Sequence, residues 1–140
     1  MKDMQLRQVN KLAQQLLLPD ESSKRAAVCL AHLVKPENSV VGREALAVLL
    51  AGLEPSKPTD TRKAAAWALA GLAPYVSTED LSNRIVPRLI QLLDEGQPGS
   101  GDFGVARQAY QSLNHIGTPD AMMATEIWFT RMKNLHSQAQ

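Results

Sequence analysis

One helix-like segment occurs three times along this chain, with copies starting about 40 residues apart. Each copy opens with a cation and has alanine two residues on, leucine six residues on, and leucine or isoleucine nine residues on; the copies read KRAAVCLAHLV, KAAAWALAGLA and RQAYQSLNHIG. At 100° per residue these shared positions fall on one arc of a helix and predict a buried stripe. A helical unit repeated at this interval is typical of a solenoid, which usually serves as a binding surface.

The composition favours helices over a sheet. Aromatic residues make up only 4% of the chain, while alanine and leucine are abundant, and these two rank among the best helix formers. A chain of 140 residues is long enough for one domain with a core that needs no covalent staple. Cys29 is the only cysteine, which excludes an internal disulfide and a zinc site built from cysteines.

The charge balance argues against a nucleic-acid partner. The 15 basic and 14 acidic residues give a net charge of +1, whereas nucleic-acid-binding domains carry a basic footprint. The N-terminus has no continuous apolar stretch of signal-peptide length, and no segment reaches the roughly 20 apolar residues that a membrane span needs. We therefore expect a cytoplasmic protein that does not contact a membrane.

Hydrophobic spacing and helix-ending residues divide the chain into about seven helices. Six of them pair into three repeats at about 3–34, 39–76 and 78–117, and a closing helix covers about 119–135, so that residues 1–140 form a single domain. Pro87 predicts a bend in the fifth helix or an irregularity at its N-terminal end, and Gly117 predicts a left-handed end to the sixth. The residues expected to cap helix N-termini are Ser22 or Ser23, Thr59 or Asp60, Ser77 or Thr78, and Thr118.

The order of elements within each repeat resembles the HEAT repeat. A leucine-rich helix is followed by an acidic turn and then by a helix of the form [VT]-x-[RK]-x-A-x-x-x-L-x-x-[LI]. Asp60–Leu72 is the closest stretch, and Val105–Ala121 looks like the short HEAT-like variety of phycobilin lyases. The resemblance implies an all-α, right-handed α-α superhelix of three hairpins plus a C-terminal capping helix.

The resemblance also implies a groove, because the second helices of HEAT repeats line the concave side. Positions one, four and eight after each cation lie opposite the buried stripe. These residues are Arg25, Val28, His32, Ala64, Trp67, Gly71, Gln108, Gln111 and His115. We expect them to bind a protein or peptide partner, with Trp67 as its anchor; the alternative is that Trp67 fills a gap between repeats. His32 and His115 either flank that anchor or simply favour the dipoles of their helix ends, and their separation speaks against a shared metal.

The closing helix is too apolar for an ordinary capping surface. Its apolar residues cover more than one stripe, so that one face closes the stack and the rest predicts a homodimer or another partner contact. The alternative is a wider buried face. The residues predicted for self-association are Met123, Ile127, Trp128, Phe129 and Met132.

The chain offers no arrangement of nucleophile, base and orienting group that catalysis requires. Glu95–Asp102 predicts a surface loop and lacks the glycine spacing of a phosphate-binding loop. We therefore predict a protein-interaction or adaptor module with no catalytic residue, cofactor or metal. Two alternatives stay open, namely a bilin-lyase-like subunit that binds a linear tetrapyrrole and, less favoured, a nucleic-acid-binding HEAT-like domain.

Overall fold

Seven helices make up the described part of this protein, and that part contains no strand. The computed structural model describes residues 2–19, 21–34, 40–95 and 103–139. Four helices precede residue 72: α1 (Lys2–Leu16), α2 (Glu21–Val34), α3 (Val40–Ala51) and α4 (Thr59–Gly71). Then α5 starts with Thr78–Asp80, passes through one π-helical turn at Leu81–Ile85 and ends with Val86–Glu95, and α6 (Phe103–Ile116) and α7 (Pro119–Ala139) follow. The all-α prediction is thus confirmed.

Side-chain caps and a glycine set the ends of the later helices as predicted. The Ser77 hydroxyl accepts a hydrogen bond from the backbone N–H of Asp80 at 3.0 Å, and the Thr118 hydroxyl accepts one from Ala121 at 3.3 Å. Gly117 has a φ of 72°, a backbone angle that residues with a Cβ adopt only under strain. Its N–H donates to the carbonyl of Leu113 at 3.0 Å, and this bond closes α6.

The predicted caps of α2 and α4 are wrong. Because α2 already begins at Glu21, Ser22 and Ser23 lie inside the helix, and Ser23 is buried. In α4, Thr59 and Asp60 are the first helical residues, and Pro58 precedes them without a side-chain capping bond. The closing helix α7 also extends to Ala139, beyond the predicted end. The predicted loop lies largely outside the described residues, which omit 96–102.

Pro87 accounts for the irregular turn in α5. Proline has no backbone N–H, and its ring collides with the carbonyl of the residue four positions earlier. The helix widens at this point, where the N–H of Val86 donates to the carbonyl of Leu81, five residues back. The predicted irregularity is therefore present as a π-helical turn.

The three helices that carry the repeated segment lie side by side, because α2 contacts α4 and α4 contacts α6. Helix α1 packs on α2 and α3, α5 packs on α6, and α7 covers parts of α5 and α6. The shared positions of the repeat form the core, as predicted. Ala26, Leu30, Ala65, Leu69, Leu72, Ala109 and Leu113 are buried, and Leu33 and Ile116 are partly buried against the same core.

Two buried hydroxyl groups tie α4 to helices on either side of it. The Thr61 hydroxyl donates to the carbonyl of Leu16 at the end of α1 over 2.7 Å. The Ser112 hydroxyl of α6 donates to the carbonyl of Ala66 in α4 over 2.9 Å. These bonds fix α4 between α1 and α6. Within the described ranges, every helix is too short or too polar to cross a lipid bilayer.

Candidate binding groove

Two adjoining pockets open on the side of the molecule formed by α2, α4 and α6. The first, here called the apolar pocket, has a volume of about 380 Å³, and the second, here called the polar pocket, of about 640 Å³. Both are lined by Trp67, Gln108 and Gln111, so together they form one continuous groove. The remaining lining of the apolar pocket is Val28, Ala31, His32, Ala68, Ala70, Gly71, Ser112 and His115. The remaining lining of the polar pocket is Glu21, Ser23, Lys24, Asp60, Lys63 and Ala64.

Trp67 stands where the two pockets meet. It is 51% exposed, although tryptophan is highly buried on average in folded proteins. The neighbouring groove positions on α4 are Ala64 and Gly71, which are small. A Cβ built on Gly71 would meet no heavy atom within 4 Å. The indole is therefore open to the groove, which favours its role as an anchor over the alternative that it fills a gap between repeats.

A chain of hydrogen bonds fixes the wall of the groove formed by α6. The Gln108 amide nitrogen donates to the Ser112 hydroxyl at 3.3 Å, and this hydroxyl in turn donates to Ala66 of α4. The Gln108 side chain is thereby held in place and is partly buried. Gln111 lies one turn further along α6 and is exposed. The wall thus presents one fixed and one exposed amide to a bound molecule.

Most residues predicted for the groove line it. Val28, His32, Trp67, Gly71, Gln108, Gln111 and His115 border the apolar pocket, and Ala64 borders the polar pocket. Arg25 is exposed but lines neither pocket. Although His32 and His115 lie on α2 and α6, on either side of α4, they border the same pocket. Among the described residues, no three histidine, cysteine or acidic side chains come close enough to hold a metal ion.

Four small residues in the floor of the apolar pocket were missed from the sequence. They are Ala31, Ala68, Ala70 and Ser112, at positions five and seven after the repeat cations. These positions flank the arc of positions one, four and eight, so a wider arc would have included them. Because their side chains are short, they leave room beside Trp67.

The charges of the groove are confined to the polar pocket and nearly balance. Glu21 and Lys24 come from the first turn of α2, and Asp60 and Lys63 come from the first turns of α4. Two acids and two cations give this pocket no net charge. The lining of the apolar pocket contains no lysine, arginine, aspartate or glutamate. The groove therefore suits a ligand with an apolar part and a polar part, without a large excess of charge of either sign.

The residues predicted for self-association differ in how far they are exposed. Met123, Ile127 and Phe129 are exposed on α7, whereas Met132 is partly buried against the core. The prediction for Trp128 is wrong, because this side chain is only 6% exposed. Its ring packs on α6, with its centroid 5.0 Å from that of Tyr110 and 6.1 Å from that of Phe103.

The chain was compared with protein-family models, with curated proteins and with solved structures, and none of them matches it.

Proposed function

We propose that this protein is a protein-interaction module, built as a short HEAT-like superhelix of three hairpins and a closing helix, and that the groove binds a segment of a partner protein. Two observations support this. The repeated segments lie next to one another in space as α2, α4 and α6, as stacked repeats do. The groove also runs across all three helices.

The lining of the groove defines the kind of segment that it accepts. The apolar pocket has a volume of about 380 Å³ and so falls in the size range of ligand sites. An apolar side chain of the partner enters there and packs against Trp67. Polar and charged residues of the partner continue along the polar pocket, beside Glu21, Lys24, Asp60 and Lys63. Gln108 and Gln111 lie at the junction, where amides can pair with a peptide backbone.

The observation that carries the proposal is the exposure of Trp67 in the middle of the groove. Exposed tryptophan that becomes buried on binding dominates many interfaces. The near balance of charge in the polar pocket supports a protein segment over nucleic acid, which needs surplus cations. The propionate groups of a linear tetrapyrrole would likewise meet as many acids as cations there, which favours a protein segment.

A peptide selection tests the proposal. Peptides from a random library are selected on the immobilised protein, and their Kd values are measured by fluorescence anisotropy. We expect Trp67→Ala to weaken the selected peptides by about tenfold to a hundredfold, as loss of a central aromatic anchor does. Tyr75→Ala is the matched control, because Tyr75 is equally exposed at 54% but lines neither pocket. If both variants bind the selected peptides as tightly as the wild type, the groove is not the binding site.

A further inference from the structure

Helix α7 presents one face on which apolar and charged side chains alternate. Met122, Glu126, Phe129 and Lys133 are separated by three or four residues, so they form a single stripe. All four are exposed, with Met122 at 45% and Phe129 at 53%. None of the four lines the groove, so whatever contacts this stripe does so independently of the proposed function.

The order of charges along the stripe is self-complementary. Glu126 and Lys133 are two helical turns apart, about 10 Å along the axis, and Phe129 lies between them. If a second α7 runs antiparallel across a twofold axis near Phe129, each Glu126 meets the Lys133 of the other copy. The same arrangement places the two Phe129 rings together at the centre. Both copies then use the same surface, and the contact between Glu126 and Lys133 occurs twice, as in the isologous interface of a C2 dimer.

We propose that a second copy of this chain packs antiparallel on this stripe, and that the protein forms a weak twofold dimer through α7. Association would bury the exposed parts of Met122 and Phe129, which are 45% and 53% exposed, and burial of apolar surface favours the dimer. The Phe129 ring also packs on α6, where its centroid lies 6.3 Å from that of the partly buried Tyr110. A pair of helices buries less than the roughly 1,600 Å² of a standard interface, so we expect a weak dimer whose population depends on protein concentration.

Charge reversal tests the pairing directly. In Glu126→Lys and in Lys133→Glu, two attractive pairs of the dimer become repulsive, so each variant should dimerise about tenfold more weakly, or worse, than the wild type. An equimolar mixture of the two variants restores attraction in both pairs, and we expect it to form a heterodimer. Sedimentation equilibrium from micromolar to millimolar protein measures the wild type, the two variants and their mixture, and circular dichroism melts show that each variant is folded.

Two aspartate substitutions on the same helix locate the contact. Phe129→Asp should abolish the dimer, because it puts two carboxylates at the twofold axis. Ile127→Asp is the control, since Ile127 is exposed on α7 but lies outside the stripe, about 100° around the helix from Glu126 and about 160° from Phe129. This variant should dimerise like the wild type.

The dimer is confirmed if the single charge variants weaken it and their mixture restores it. The proposal is overturned if the wild type stays monomeric at millimolar concentration or if the mixture fails to recover. It is also overturned if Ile127→Asp disrupts association as much as Phe129→Asp does. None of these results bears on peptide binding in the groove, because α7 lines neither pocket.

Discussion

Replacing Gly71 by leucine should weaken binding in the groove without destabilising the fold. Gly71 is the last residue of α4 and lines the apolar pocket. A Cβ at this position would meet no heavy atom within 4 Å, so a larger side chain extends into open space without displacing the core. In Gly71→Leu that side chain occupies the part of the apolar pocket beside Trp67, where we place an apolar side chain of the partner.

The expected changes in stability and affinity have opposite signs. Glycine in a helix costs up to about 1 kcal/mol relative to alanine, and less at a helix end, so Gly71→Leu should be as stable as the wild type or slightly more stable. Burial of one leucine-sized side chain contributes about 1.5–3 kcal/mol. If the partner can no longer place such a side chain in the pocket, its Kd should rise by about tenfold to a hundredfold.

Gly71→Ala is the matched control for this prediction. It adds only the Cβ and leaves most of the apolar pocket open, so its affinity should stay within about threefold of the wild type. Thermal unfolding followed by circular dichroism measures stability, and anisotropy titration with the selected peptides measures affinity. Full affinity in a folded Gly71→Leu protein would refute the use of the apolar pocket. A fall in its melting temperature would show instead that the space around Gly71 is not open.

Two further predictions concern the packing that positions the groove. Thr61→Val removes a buried hydroxyl and leaves the carbonyl of Leu16, at the end of α1, without that donor; chemical denaturation should show a loss of about 1–3 kcal/mol, against less than about 0.5 kcal/mol for the exposed Thr59→Val. Trp128→Ala should cost about 3–5 kcal/mol, as expected when a buried aromatic leaves a cavity, whereas an equally large loss in Ile127→Ala would contradict the burial of Trp128 and exposure of Ile127.

The repeated segments allowed most of the groove to be predicted from the sequence. Helical geometry fixes which positions share an arc, and a stripe of alanine and leucine identifies the arc that faces the core. The residues on the opposite arc are then known from the rotation of 100° per residue, and this explains why Val28, Trp67 and Gln111 were placed correctly. The angular position of a residue on its helix does not give the width of the groove, which depends on how closely the helices approach one another. Ser112 was missed for this reason. Arg25 was included by phase alone, although its side chain lies outside both pockets.

The closing helix shows where the sequence is insufficient. Met122, Met123, Ile127, Trp128 and Phe129 are all apolar and leave no clear polar side, so the pattern alone cannot select the face that is buried. Contact with α6 selects it, because Phe103 and Tyr110 lie beside the ring of Trp128. Phe129, the next residue along, is rotated by 100° and remains largely exposed.

The sequence by itself determined that the chain is helical, where its core stripe lies and which residues share the groove side of each second helix, because these properties follow from local propensity and helical phase. Only the tertiary structure decided that Trp67 is open, that Trp128 is buried and that His32 and His115 border one pocket. Those outcomes depend on the distances between helices that are far apart in the chain, and no local pattern encodes such distances.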